Sequence, residues 1–170
     1  MRPLIWIMTM ADIKLKPAED RILIANLFHY YVYDMSEYMD WAPGDSGLYL
    51  DDPEQIQIHD YWQKPDHFPF IIEVDNQLAG FALVQREEGG AMDVGQFFVL
   101  RRFKGKGIGL TAFKLVTEKF PGPWQVRVLT DNRAAMAFWS KAIAQVSQSE
   151  VHTFEETDEG DHLKYFQFRV

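Results

Sequence analysis

The stretch Phe97-Phe98-Val99-Leu100-Arg101-Arg102-Phe103-Lys104-Gly105-Lys106-Gly107-Ile108-Gly109-Leu110 decides the reading of this chain. Its apolar opening ends a strand that the pattern predicts over 92–100. Its last residues open a helix whose buried face runs through Ile108, Ala112, Leu115, Val116 and Phe120. Between them, Arg101, Arg102, Lys104 and Lys106 put four cations into six residues, among closely spaced glycines. Glycines let backbone N–H groups approach an anion, and a helix N-terminus adds partial positive charge. Such a turn reads as a phosphate-sized site. The plainer alternative is a tight turn beneath solvated cations.

Working outward, Ile13-Lys14-Leu15 alternates like a short strand, and Pro17 suits the first turn of a helix expected over 18–33. Leu23, Leu27, Tyr30 and Tyr31 mark that helix by their spacing. Pro43, Gly44, Gly47 and Pro53 make the following segment loop with short helical pieces. The runs 70–74 and 78–84 flank Asp75-Asn76-Gln77 as a hairpin, and 86–90 is a second turn. Pro121-Gly122-Pro123 stops the helix after the glycine turn. A strand over 124–129 follows, then a helix capped by Asp131-Asn132 that carries Ala135, Phe138 and Trp139. Two more strands close the chain, the last over 165–170. The expectation is one α/β domain over 13–170: a mixed, mainly antiparallel sheet flanked by helices, in the order β-α-β-β-β-α-β-α-β-β. Residues 1–12 form an apolar extension that docks on the domain or on a second subunit.

Composition narrows the function. The chain has 170 residues, 47% hydrophobic and 15% aromatic, which suits a single folded core. It has no cysteine, which excludes disulfides, thiolate nucleophiles and cysteine–zinc sites and agrees with a cytoplasmic setting. The apolar run Leu4 to Met8 is too short for a membrane span. The net charge is −8, and eight carboxylates without one Lys or Arg lie between Asp34 and Asp60, so the remainder is neutral. That segment is either a binding surface for a cation or a solvated face. One short basic turn does not make a nucleic-acid stripe. The five histidines lack metal-ligand spacing, so no metal is expected.

Gly107-Ile108-Gly109-Leu110-Thr111-Ala112, with Asp131 about twenty residues on, also fits a dinucleotide fingerprint and hence an oxidoreductase. Three strands joined by tight turns precede it, however, and too little chain follows for a doubly wound sheet. A P-loop is excluded because Gly107 follows Lys106.

Taken together, Phe97-Phe98-Val99-Leu100 with Lys104-Gly105-Lys106-Gly107-Ile108-Gly109, and Asn132-x-x-Ala135-x-x-Phe138-Trp139, resemble the two signatures of the GNAT superfamily of N-acetyltransferases. Tyr33-Asp34-Met35-Ser36 and Ala79-Gly80-Phe81 resemble one subgroup of it. The resemblance implies an acetyl-CoA-dependent acyltransferase, monomeric or homodimeric, acting on an amine. Phe97, Phe98 and Val99 would bond the pantetheine arm through their backbone. Arg102, Lys104, Gly105, Lys106, Gly107, Ile108, Gly109 and Leu110 would surround the diphosphate. Asn132 would bond the cofactor near the arm, with Trp139 beside the sulfur. Three places depart from the family: Lys104 replaces Arg or Gln, Gly95 replaces a catalytic Glu, and Trp139 replaces the tyrosine acid. The last two also admit an acetyl-CoA-binding protein with little catalysis.

Direct attack by an amine needs no protein nucleophile. Strand alternation from Phe97 through Gly95 puts Asp93 on the same face, where a water in the space at Gly95 could relay a proton to it. Asp93 is therefore the candidate base, or else an exposed carboxylate near a turn; Glu73 is the alternative base. The acceptor site of the resembled fold would hold Tyr33, Asp34, Glu37, Tyr38 and Asp40. Carboxylates with aromatics suit a cationic amine such as a polyamine, an aminoglycoside or a lysine side chain.

Overall fold

A computed structural model describes residues 11–50 and 58–170. Their elements are β1 (Ile13–Pro17), α1 (Arg21–Met35), α2 (Asp60–Gln63), β2 (His67–Val74), β3 (Gln77–Arg86), β4 (Met92–Val99), α3 (Ile108–Lys119), β5 (Pro123–Leu129), α4 (Arg133–Val146), β6 (His152–Asp158) and β7 (Asp161–Arg169). This is the expected order with the one-turn α2 added. Most of the apolar extension, residues 1–10, lies outside the described residues.

Local chemistry sets most of the boundaries. Asp75 and Asn76 take left-handed backbone (φ 51 and 61), the two-residue turn that returns β2 onto β3 with the right twist. Asp20 caps α1 by accepting from the Ile22 N–H at 2.8 Å. Pro17 therefore ends an edge strand and does not start the helix. The buried face of α1 is Ile24, Leu27 and Val32, whereas Tyr30 points out. Asn132 caps α4 through the Ala135 N–H at 2.9 Å.

The seven strands form one sheet in the order β1-β2-β3-β4-β5-β7-β6. Every neighbouring pair is antiparallel except β4 and β5, joined through α3 by a crossover. One face packs on α3 and α4, with Phe113 and Trp124 fully buried beside Trp139. Phe113 is not among the residues the helical spacing selects, yet truncating so buried a ring costs about 3–5 kcal/mol. The other face packs on α1 and α2 through Ile24, Leu27, Tyr61, Phe81, Leu83 and Phe98. Among the described residues no helix is long and apolar enough to cross a membrane.

Two irregularities at the centre of the sheet create the functional region. The β4–β5 pairing consists of Met92↔Trp124 and Asp93↔Gln125, after which the strands part. The β3–β4 register shifts as well: Leu83 faces Gln96 and Val84 faces Val94, leaving Gly95 as an extra residue in β4. Such a bulge inverts the side-chain alternation beyond it.

Candidate cofactor and acceptor site

The glycine turn is built as its composition demands. After a short 3-10 turn over Arg101–Phe103, Gly105 and Gly107 adopt φ of 75° and 76°, where a side chain would be strained. Gly107 is the N-cap of α3, with no side chain to satisfy the first amides of the helix. None of the backbone N–H groups from Gly105 to Leu110 meets an acceptor among the described residues, and the space beside Gly105 and Gly107 is open. Unpaired amides at a helix N-terminus next to exposed cations fit a diphosphate. Gly109 has a different role: a Cβ there would press on the Phe138 ring at 3.0 Å, so it lets α4 pack against α3.

From this turn a cleft of about 620 Å³ runs into the opening between β4 and β5. Phe97, Phe98 and Val99 line one wall, and Asn132 and Trp139 of α4 lie deeper. The Asn132 oxygen is committed to its cap, which leaves the amide NH2 as the donor for a ligand. Trp139 is buried, edge-on to Phe97 at 5.4 Å and Phe113 at 5.0 Å, so it packs the cleft floor. Tyr31 also lines the cleft, and burial pushes its phenol up to about 12.

The cations of the turn find different partners. Asp34 accepts from Arg101 Nε at 2.9 Å and from Lys104 Nζ at 2.7 Å. Arg101 also lies over the Tyr33 ring, 5.8 Å from its centre. Among the described residues Arg102 and Lys106 form no ion pair. Thus the negative and positive regions, separate in sequence, meet at one point.

Asp93 is where the sequence reading needs correction. The Gly95 bulge sets Asp93 on the face of Gln96 and Phe98, and Phe97 on the opposite face with Ala82 and Val94. The carboxylate has no exposed surface, accepts from Arg127 at 2.6 Å and lies 3.4 Å from Gln125 Nε2. Burial pushes its pKa above the usual range, and Arg127 pulls against that shift. Nor is the space at Gly95 a channel for water, because the Tyr61 hydroxyl occupies it. Glu73 pairs with Lys16 near the β1 edge and does not line the cleft.

A second cavity of about 900 Å³ opens on the α1 and α2 face. It shares Trp41, Gly95, Gln96 and Arg127 with the first cleft. Of the expected acceptor residues, Asp40 lines this cavity, Asp34 and Tyr38 line the cofactor cleft, and Tyr33 and Glu37 line neither. Asp51, Asp52 and Glu54 of the acidic stretch lie outside the described residues. The sequence reading passes over Trp41, Tyr61, Gln85 and Glu159, which also line the second cavity. Only the missing side chain at Gly95 hints that another residue fills its place.

A sheet opening between β4 and β5, with a glycine turn at its mouth, defines a class that the comparisons name. The profile of the Acetyltransferase (GNAT) family matches residues 33–143, more than half of the chain, and the chain belongs to that family. The fold is similar to RimL, a ribosomal L7/L12 alpha-N-protein acetyltransferase in complex with coenzyme A: TM-score 0.65, 15% identity, 93% of this chain and 94% of that one. It is also similar to an acetyltransferase from Thermus thermophilus: TM-score 0.64, 15% identity, 93% and 97% covered. A third likeness is to a Bacillus anthracis acetyltransferase in complex with acetyl coenzyme A, at TM-score 0.53 and 15% identity. There the match covers 65% of this chain and 66% of the other, so this chain spans just under two thirds of that structure. At these identities the likeness is one of fold. Comparison with curated protein sequences gives no match.

Proposed function

We propose that this chain transfers the acetyl group of acetyl-CoA to a primary amine on a cationic acceptor, by direct attack without an acyl-enzyme. The observation that carries this reading is the pair of cavities sharing Gly95 and Gln96. One leads from the unpaired amides at Gly105 to Leu110, and the other opens among aromatics and carboxylates. Acetyl-CoA supplies an activated thioester. The amides of the turn hold its diphosphate, with Arg102 and Lys106 adding charge. The unpaired edge of β4 beyond Asp93 receives the arm as an added strand would be received. A backbone N–H at that edge polarises the carbonyl.

Asp40, Glu159 and Trp41 around the second cavity suit a cation. Asp34, already paired with Arg101 and Lys104, serves the turn instead. Asp93, buried against Arg127, is a structural anchor, and the proton released from the amine passes to water. Turnover of spermidine, kanamycin and a lysine peptide should fall steeply between 50 and 500 mM salt (roughly these limits), because exposed charge pairs are screened over about 10 Å at 0.1 M. Reaction confined to neutral or acidic amines would sink the cationic assignment. The absence of side-chain acid and base at Gly95 and Trp139 also favours a second reading, an acetyl-CoA binder with little turnover; the same assay separates the two.

A further inference from the structure

We propose that Tyr61 receives the acceptor amine: its hydroxyl, set in the space left by Gly95, accepts an N–H of the amine and aims the nitrogen lone pair at the thioester. This rests on the acetyltransferase reading above and adds to it the residue that orients the nucleophile.

The argument begins with which atom carries the proton. Gln85 Nε2 donates to the Glu87 carboxylate at 3.0 Å, which turns Gln85 Oε1 toward Tyr61 at 2.8 Å. A carbonyl oxygen only accepts, so the phenol must donate to Gln85. Its proton is committed, and its lone pairs are what it can offer a ligand. Burial, with the Asp93 charge next in importance, raises the phenol well above its ordinary value, so it stays neutral across physiological pH.

Position supplies the second part. A Cβ on Gly95 would collide with Tyr61 Oη. The hydroxyl therefore lies against the β4 backbone at the bulge, two residues beyond the last pairing with β5. Gly95 lines both cavities, and Tyr61 lines the acceptor one. An amine crossing from the acceptor cavity to the β4–β5 opening passes this oxygen. The hydroxyl accepts one N–H while the nitrogen attacks the acetyl carbon. The C–N bond forms and the C–S bond breaks. The thiolate leaves, the ammonium nitrogen loses one proton to water, and Tyr61 returns unchanged. A hydroxyl that can only accept selects a nucleophile bearing N–H.

The placement does not depend on the hydroxyl alone. Trp62 Nε1 donates to the Ala18 carbonyl at 2.8 Å, holding α2 to the end of β1, and the Tyr61 ring packs edge-on to His67 at 5.0 Å. Tyr61→Phe should therefore fold. The assay is thiol release from acetyl-CoA with spermidine, kanamycin or a lysine peptide, free of protein background because the chain has no cysteine. In Tyr61→Phe, kcat/KM for the best amine should fall about tenfold, the scale of one lost hydrogen bond. Acetyl-CoA affinity and the shape of the pH profile should be unchanged. Gly95→Ala should lower both activity and thermal stability by displacing the hydroxyl. Gly95→Ala combined with Tyr61→Phe should regain stability without regaining activity. Wild-type kcat/KM in folded Tyr61→Phe overturns the role of Tyr61 while leaving the acetyltransferase reading intact. Loss of the alkaline limb in Tyr61→Phe would overturn it in favour of a proton donor. No turnover by the wild type with any of these amines overturns both.

Discussion

The phosphate-binding turn and the acceptor cavity lie on either side of β4, and they are built in different ways. The turn is nine consecutive residues whose backbone does the binding. The acceptor cavity is assembled from side chains of α1, α2, β3 and β5 and the β6–β7 turn, brought together only by the sheet. The first can be damaged at one residue without touching the fold. The second cannot be altered at Arg127 without disturbing a buried charge.

The largest expected effect is on the turn. Gly107→Asp places a side chain at φ 76° and a carboxylate where the diphosphate must come. Acetyl-CoA affinity should fall roughly a thousandfold, about 4 kcal/mol, by calorimetry, with thermal stability nearly preserved. Unchanged affinity in a folded variant would remove the turn from the site and with it the contrast.

On the other side, Arg127→Ala should act on stability first. It leaves the Asp93 carboxylate buried without its ion pair, a loss of about 3 kcal/mol at neutral pH in urea denaturation. The pH dependence sharpens this. Burial already holds the folded pKa of Asp93 above its unfolded value. Its stabilising contribution is therefore complete below the unfolded pKa of about 3.9 and is lost as pH rises through the folded value. Removing Arg127 raises the folded pKa further, so the gap between variant and wild type should widen from pH 4 to pH 7 (about these limits). A constant gap would mean that Asp93 is not the group responsible.

Asp34→Asn should have the smallest effect, since Arg101 and Lys104 are more than half exposed. Surface pairs of this kind are worth roughly 0.2–1 kcal/mol. The substitution frees both cations and removes a carboxylate from the cleft. Acetyl-CoA should bind about twofold tighter at low salt, with the difference vanishing at high salt. A rise in acceptor KM with unchanged acetyl-CoA affinity would return Asp34 to the acceptor side.

The residues themselves determined the order of elements, the Asp75-Asn76 turn, the Asn132 cap and the glycine turn, because each rests on local conformation or on the period of an apolar face. The tertiary structure decided what faces what. The inserted Gly95 inverts the alternation of β4, so Asp93 and Phe97, an even number of residues apart, end on opposite faces. The bulge follows from pairing with β3, and spacing within β4 carries no sign of it. In the same way charge alone assigns Asp34 to a cation from outside, whereas a fold that brings α1 to the turn gives it Arg101, 67 positions away. Tyr61 enters the site for the same reason: the vacancy it fills belongs to a different strand.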